Sequence, residues 1–263
     1  MPATIVVLIG LLSLSLIFSL VWLVQLRTHN AGMVDPVWSW SLGFLGVLYA
    51  ALANGNTSAR LWVGVLAGLW GLRLGTHLWL RNYGRPEDGR YRRLREEWKQ
   101  TANWNMFWFF QLQVVLAILL SMGFLVVAYR PDAPSPWAIA LAACLWFSSI
   151  AGEALADWQL ERFKTDPAHR GKVCREGLWR YSRHPNYFFE CLHWPVYCVL
   201  AIGSPWIWAT LIPCGVMVFL LLKVSGIPMT EAQSAKSRPG YADYIRTTSA
   251  FIPWPPKPSP DAS

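Results

Sequence analysis

The chain has 263 residues, of which 54% are hydrophobic and only 14% charged, with a formal net charge of +8. A soluble domain carries about 25% charged residues, so this composition excludes an ordinary water-soluble globule. The five cysteines form no CxxC pair, which leaves neither a disulfide framework nor a zinc site.

Runs of about 18 or more apolar residues are transmembrane candidates. Seven are predicted in chain order, over 3–25, 36–53, 59–80, 104–129, 135–158, 184–203 and 205–224. The first lacks the small-residue cleavage pattern of a signal peptide and is kept as a span. The last two are divided by Gly203, Ser204 and Pro205, so six helices plus a re-entrant piece is the alternative count. Tryptophans such as Trp38, Trp40, Trp98, Trp104, Trp108, Trp179, Trp194, Trp206 and Trp208 fall mostly at span ends, as an interfacial belt requires. Cys144, Cys191, Cys198 and Cys214 lie inside spans and read as small packing residues. The expectation is an all-α integral membrane protein with one transmembrane domain over 1–254 and a disordered, proline-rich tail over 255–263.

Lysine and arginine set the orientation. They crowd the loops 81–103 and 159–183 and the C-terminal tail, while the opposite side has little beyond Arg60 and Arg130. The positive-inside rule makes the crowded side cytoplasmic, with the N-terminus outside and the C-terminus inside. Headgroup attraction accounts for part of this charge. The stretch "RNYGRPEDGRYRRLREEW" is more than a polybasic patch, because Gly84, Pro86 and Gly89 make turns and Glu87 and Asp88 can fix arginines in place. Such an array suits a pyrophosphate or a 2′-phosphate. No soluble nucleotide fold is present: the glycines at 71 and 75 sit in an apolar helix, and there is no GxxxxGK[ST].

Ionisable residues inside spans are costly and mark function. On the third span Arg73, His77 and Arg81 recur every four residues, and on the fifth Glu153, Asp157 and Glu161, with Lys164 beyond. On the sixth, Asn186, Glu190, His193 or Trp194, and Tyr197 share one face. Arg81, Glu161 and Lys164 lie near the interface, where long side chains snorkel. Asp35, just before Pro36, has the form of a helix N-cap.

The stretch "GLWRYSRHPNYFFE" at 177–190 resembles the C-terminal signature of the steroid 5-alpha-reductase superfamily. Val34–Trp38, "WGLRLGTHLWLR" at 70–81 and "EDGRY" at 87–91 resemble the bacterial branch labelled a domain of unknown function, so the likeness spans about 30–254. The resemblance implies a seven-helix membrane fold and an NADPH cofactor on the cytoplasmic side. It also implies reduction of an activated C=C bond in a steroid-like or other hydrophobic lipid. It matches the cofactor-gripping pair to Asn186 and Glu190, and further cofactor contacts to Tyr181, Asp157 and Lys164. Asn82, Gly84, Arg85 and Pro86 match a cofactor-loop segment more loosely. The substrate side departs: the animal enzymes' Gln-Glu pair is absent, and "IPMTEAQ" at 227–233 replaces an expected His and Tyr.

On this reading Arg183, His184, Asn186, Tyr187 and Glu190 surround NADPH, with Glu190 accepting from the nicotinamide carboxamide. Asp157 takes a ribose or adenine donor, or balances a pocket arginine. Arg73 lies within the bundle, and Arg85, Arg175 and Arg180 meet phosphates. A donor is needed where enolate charge develops. A protonated Asp35 is the candidate, with Trp38 one turn on, and Tyr49 and His77 are rivals. The expected partners are a hydrophobic small-molecule substrate and membrane lipids in a bacterial inner membrane. Nothing in the sequence calls for nucleic acid or an obligate protein partner. "RHPNY" also occurs in isoprenylcysteine and phospholipid methyltransferases, which makes an S-adenosylmethionine enzyme the alternative. A non-enzymatic lipid-binding protein is a third class.

Overall fold

A computed structural model describes residues 1–258, so 259–263 of the expected tail lie outside the described residues. All regular structure among the described residues is helical. Twelve α-helices follow one another: α1 Ala3–Thr28, α2 Val34–Leu52, α3 Thr57–Asn82, α4 Gly89–Trp98, α5 Ala102–Leu120, α6 Met122–Ala128, α7 Pro136–Thr165, α8 Pro185–His193, α9 Pro195–Leu200, α10 Leu211–Phe219, α11 Ile227–Ser237 and α12 Tyr241–Thr247.

Among the described residues four helical runs are long and apolar enough to cross a membrane by length and composition: Ala3–Thr28, Gly89–Ala128, Pro136–Thr165 and Ile207–Ser237. α1 shows why such a helix is apolar all round. Val6, Gly10, Leu14 and Phe18 are buried on one face, while Leu8, Leu12, Leu16 and Leu20 are exposed on another, as lipid contact demands. The other three expected spans are helical but fall short. α2 is diluted by Asp35, serines and tryptophans, and α3 by Arg60, Arg73 and Arg81. The expected sixth span is two short helices, α8 and α9, because Pro195 has no N–H for a hydrogen bond back along the helix.

The described contacts divide the chain into two compact units. One comprises Met1–Ile139 with Tyr197–Pro213, and the other Ala140–Val196 with Cys214 onward. In the first, α2 and α3 pack backbone to backbone. A Cβ added at Gly71 would meet the Gly43 Cα at 2.7 Å, and one at Gly75 would meet the Trp40 indole at 2.3 Å. Small residues at such spacing are how helices approach closely without a hydrophobic driving force between them.

α4 lies where a loop was expected. Asp88 caps it by accepting from the Arg90 N–H at 2.9 Å. Asp35, by contrast, is not an N-cap: α2 already begins at Val34, and Asp35 sits in its first turn.

In the second unit α7 runs for 30 residues, past the predicted end at 158. That is about 45 Å of helix against a hydrocarbon core of about 30 Å. After α10 a π-helical turn at Leu220–Val224 precedes α11. The segment expected as a tail over 255–263 is tied down near its start, where Lys257 N–H donates to Thr247 C=O; just before it, Trp254 N–H donates to Tyr181 C=O.

Candidate functional site

Pro185 starts α8 at a position where its missing N–H costs nothing, and so fixes the polar string 180–190 at a helix entrance. Two knots of side chains form there, both within the second unit. In one, the buried Arg183 donates from Nε to Glu231 Oε1 at 2.7 Å and from Nη1 to the carbonyls of Ile245 and Thr248. His184 Nε2 lies 3.2 Å from the same Glu231 oxygen. The His184 ring stacks on Tyr187, whose hydroxyl meets Thr230 Oγ1 at 3.2 Å.

In the other knot, Asn186 Nδ2 donates to Asp157 Oδ1 at 3.3 Å. A carboxylate can only accept, so this contact fixes which way the amide points. It leaves Asn186 Oδ1 as a buried acceptor with no hydrogen-bond partner. Glu190, 5% exposed, lies one turn further along the same face of α8. Phe189 rests in the notch left by Gly152, and its carbonyl accepts from Ser149 Oγ at 2.8 Å, which locks α8 to α7.

The arginines expected at phosphates are placed unequally. Arg180 is exposed. Arg175 is engaged by Asp243 Oδ2 at 2.8 Å and by Gly240 C=O at 3.0 Å. Hydrogen bonds from Arg175 and Arg246 hold the Asp243 carboxyl below its ordinary range. Arg183 is bonded to Glu231 and two carbonyls. Tyr181 projects outward, 42% exposed. Lys164, on the last turn of α7, lines a separate cavity with Arg170, Lys172 and Arg238.

The other expected residues belong to the first unit. Asp35 accepts from Arg90 Nη2 at 2.7 Å and from the Tyr91 hydroxyl at 2.5 Å. Both contacts use it as an acceptor, the opposite of the proton-donor role expected for it. Arg90 also bonds Asp88 at 3.1 Å. Burial pushes the Asp88 carboxyl up, but the hydrogen bond and charge of Arg90 outweigh it and hold it low. Asn82 Nδ2 donates to Gly32 C=O at 3.1 Å, and Asn30 Nδ2 to Arg85 C=O at 3.3 Å. Glu87 joins this clasp by accepting from Ala31 N–H at 2.8 Å and from Arg95 at 2.9 Å. Tyr49 hydroxyl pairs with Ser121 Oγ at 2.9 Å. Trp38 Nε1 is a buried donor with no hydrogen-bond partner. Arg73 and His77 are half-buried on α3, and Arg85 itself is exposed.

Two residues, one in each unit's polar cluster, escaped sequence reasoning. Glu231, the hub of the Arg183 knot, is the one acid of "IPMTEAQ", a segment read only as lacking an expected His and Tyr. Tyr91 belongs to the quoted EDGRY motif, and its hydroxyl was the available signal. Among the described residues no group of three His, Cys, Asp or Glu side chains is placed to hold a metal.

These features define an all-helical protein with membrane-spanning character and a buried polar cluster at the entrance of α8. The family model described as "Protein of unknown function (DUF1295)" matches residues 21–248, and the chain belongs to that family. It is 27% identical to an uncharacterized protein, C594.04c, of Schizosaccharomyces pombe, over 93% of this chain and 79% of the relative. No solved structure matches the chain.

Proposed function

We propose that this protein is an NADPH-dependent membrane reductase of an activated C=C bond in a steroid-like or other hydrophobic lipid, related to the steroid 5-alpha-reductase superfamily. We place it in a bacterial inner membrane with the cofactor site facing the cytoplasm. The observation that carries the reading is the buried Asn186 Oδ1, an acceptor without a protein donor. An orphaned buried acceptor costs about 1–3 kcal/mol, which a ligand N–H or O–H would recover. Glu190 and Asp157, both acceptors, stand beside it, so the set fits a ligand rich in donors, such as a carboxamide and ribose hydroxyls.

Bound NADPH would supply the hydride. Asn186 and Glu190 would hold its carboxamide end, and the Asp157 carboxylate would keep the Asn186 amide from turning. Glu231 would keep Arg183 and His184 in place behind them.

The direct test is to identify any nucleotide that copurifies after mild detergent extraction. NADP(H) supports the proposal, and S-adenosyl compounds point instead to a methyltransferase. Glu190→Gln keeps the shape but replaces an acceptor oxygen with a donor. It should weaken NADPH binding by about 1.5–3 kcal/mol, roughly ten- to a hundredfold, in titration calorimetry. Unchanged affinity would remove Glu190 from the cofactor site.

A further inference from the structure

The stretch 249–257, which follows α12, is pinned like a strap along the polar string that opens α8. Arg183 N–H donates to Ser249 C=O at 2.8 Å, Ser182 Oγ to Phe251 C=O at 2.8 Å and Trp254 N–H to Tyr181 C=O at 2.9 Å. Lys257 N–H then returns to Thr247 C=O at 2.8 Å. Pro253, Pro255 and Pro256 carry no N–H, so the strap shows few backbone donors to its surroundings. Exposure alternates along it, as on an extended chain. Phe251 and Pro253 are half-buried, and the Phe251 ring meets Phe188 of α8 edge-on at 5.7 Å. Ile252 and Trp254 are 61% and 69% exposed.

A single exposed apolar side chain needs no explanation. Here two large ones stand on one side of a short strap, beside the exposed Tyr181 to which Trp254 is bonded. Arg180, next to Tyr181, and Lys257 are exposed cations at the same place. The depth in the molecule fits a lipid surface. Trp179 Nε1 donates to Ala156 C=O and Leu178 N–H to Gln159 Oε1, both at 2.9 Å. The segment that carries the strap is therefore level with residues 156–159 of α7. Counted from Pro136, the about 20 residues that cross a hydrocarbon core end close to that level. Trp158 is exposed there, with Arg162 over its ring at 5.4 Å, an aromatic and cation pairing suited to headgroup depth. Tryptophan and tyrosine favour such a boundary because one end of each ring system is apolar and the other can stay wet.

We propose that the strap 249–257 docks on the membrane surface, with Ile252 and Trp254 seated where headgroups meet acyl chains. Its partner is the lipid bilayer itself. Because the bonds of the strap run to Tyr181, Ser182 and Arg183, lipid contact on its outer side steadies the entrance of α8 on its inner side. The docking surface stands whether or not the reductase reading does.

The contact can be read on the native chain, produced with fluorotryptophan and placed in phosphatidylcholine nanodiscs. The fluorine resonance of Trp254 is assigned by its loss in Trp254→Phe. A lipid carrying a doxyl spin label and a soluble gadolinium chelate are added to separate samples. The expected result is stronger broadening of this resonance by the labelled lipid than by the chelate. Stronger broadening by the chelate places Trp254 in water and overturns the proposal. Sparing by both also overturns it, because protein, a second copy included, then covers the strap.

A second measurement reads the entrance. Ile252→Ser/Trp254→Ser alters only exposed side chains and should leave the helical fold intact. In nanodiscs it should speed hydrogen exchange of the Arg183 and Trp254 amides, followed in peptides over 180–190 and 249–258, by about tenfold or more, equivalent to about 1.4 kcal/mol of local opening. Ile252→Leu/Trp254→Phe, which keeps the apolar surface, should exchange like the native chain. Unchanged exchange in the serine variant removes the link between lipid contact and the α8 entrance. Equal speeding in both variants assigns the effect to packing within the protein and likewise refutes that link.

Discussion

Asp88 shows how one side chain can have two separable roles. Its carboxylate caps α4 through the Arg90 N–H and also pairs with the Arg90 guanidinium. Asp88→Ala should lose the cap, at about 1 kcal/mol, whereas Asp88→Asn keeps the cap and loses only the charge. Because Arg90 lowers the carboxyl's folded-state pKa, the charge contribution is fully present above the unfolded value, about pH 4. It is lost as pH falls through the lower, folded one. The gap in melting temperature between the native protein and Asp88→Asn should therefore be constant from neutral pH to about pH 5 and close below about pH 4. A gap that persists there would mean that the charge is idle. Residue identities were readable in the sequence where partners lie close by, as in EDGRY. Glu231 was not, because its partners Arg183 and His184 stand almost fifty positions away and no local pattern announces them.

Among the elements, helical class followed from composition and apolar length, but continuity did not. α4 was missed because Gly84, Pro86 and Gly89 read as turns; Gly84 indeed adopts φ of +70°, yet Asp88 then starts a helix at Gly89. α11 depends on the π turn at Leu220–Val224, a distortion with no signature in a uniformly apolar stretch. The α2–α3 seam was present in the sequence as Ala67, Gly71 and Gly75, spaced four apart, without any indication of what they would meet. A Cβ at Gly71 meets backbone, which has no rotamer to yield. Gly71→Ala should therefore cost about 1–3 kcal/mol, as overpacking does, measured as a lower melting temperature in detergent. Gly215→Ala on α10 meets nothing within 4 Å and should be neutral or slightly stabilising, since alanine favours helix. Equal losses for the two would remove close packing as the explanation.

For the whole molecule, the charge distribution makes the firmest claim. Single cysteines introduced at Arg92, Lys172 and Lys236, on a background with the native cysteines replaced, should all react with membrane-impermeant reagents only from the cytoplasmic face. Reaction of the Arg92 position from outside in intact cells would reverse the orientation inferred from lysine and arginine. The membrane class and much of the polar string at 180–190 were legible in the sequence. The division into two units was not, because it depends on which distant segments share a core. That division bears on how the chain is made. Tyr197 packs on Phe124 with ring centroids 4.5 Å apart, and Leu200 C=O accepts from Arg130. A nascent chain that has passed Ile139 therefore holds an unfinished first unit, with Arg130 lacking its Leu200 acceptor until the first segment of the second unit has also been made. A chain that stops between residues 140 and 197 therefore lacks the strip Tyr197–Pro213 that completes the first unit.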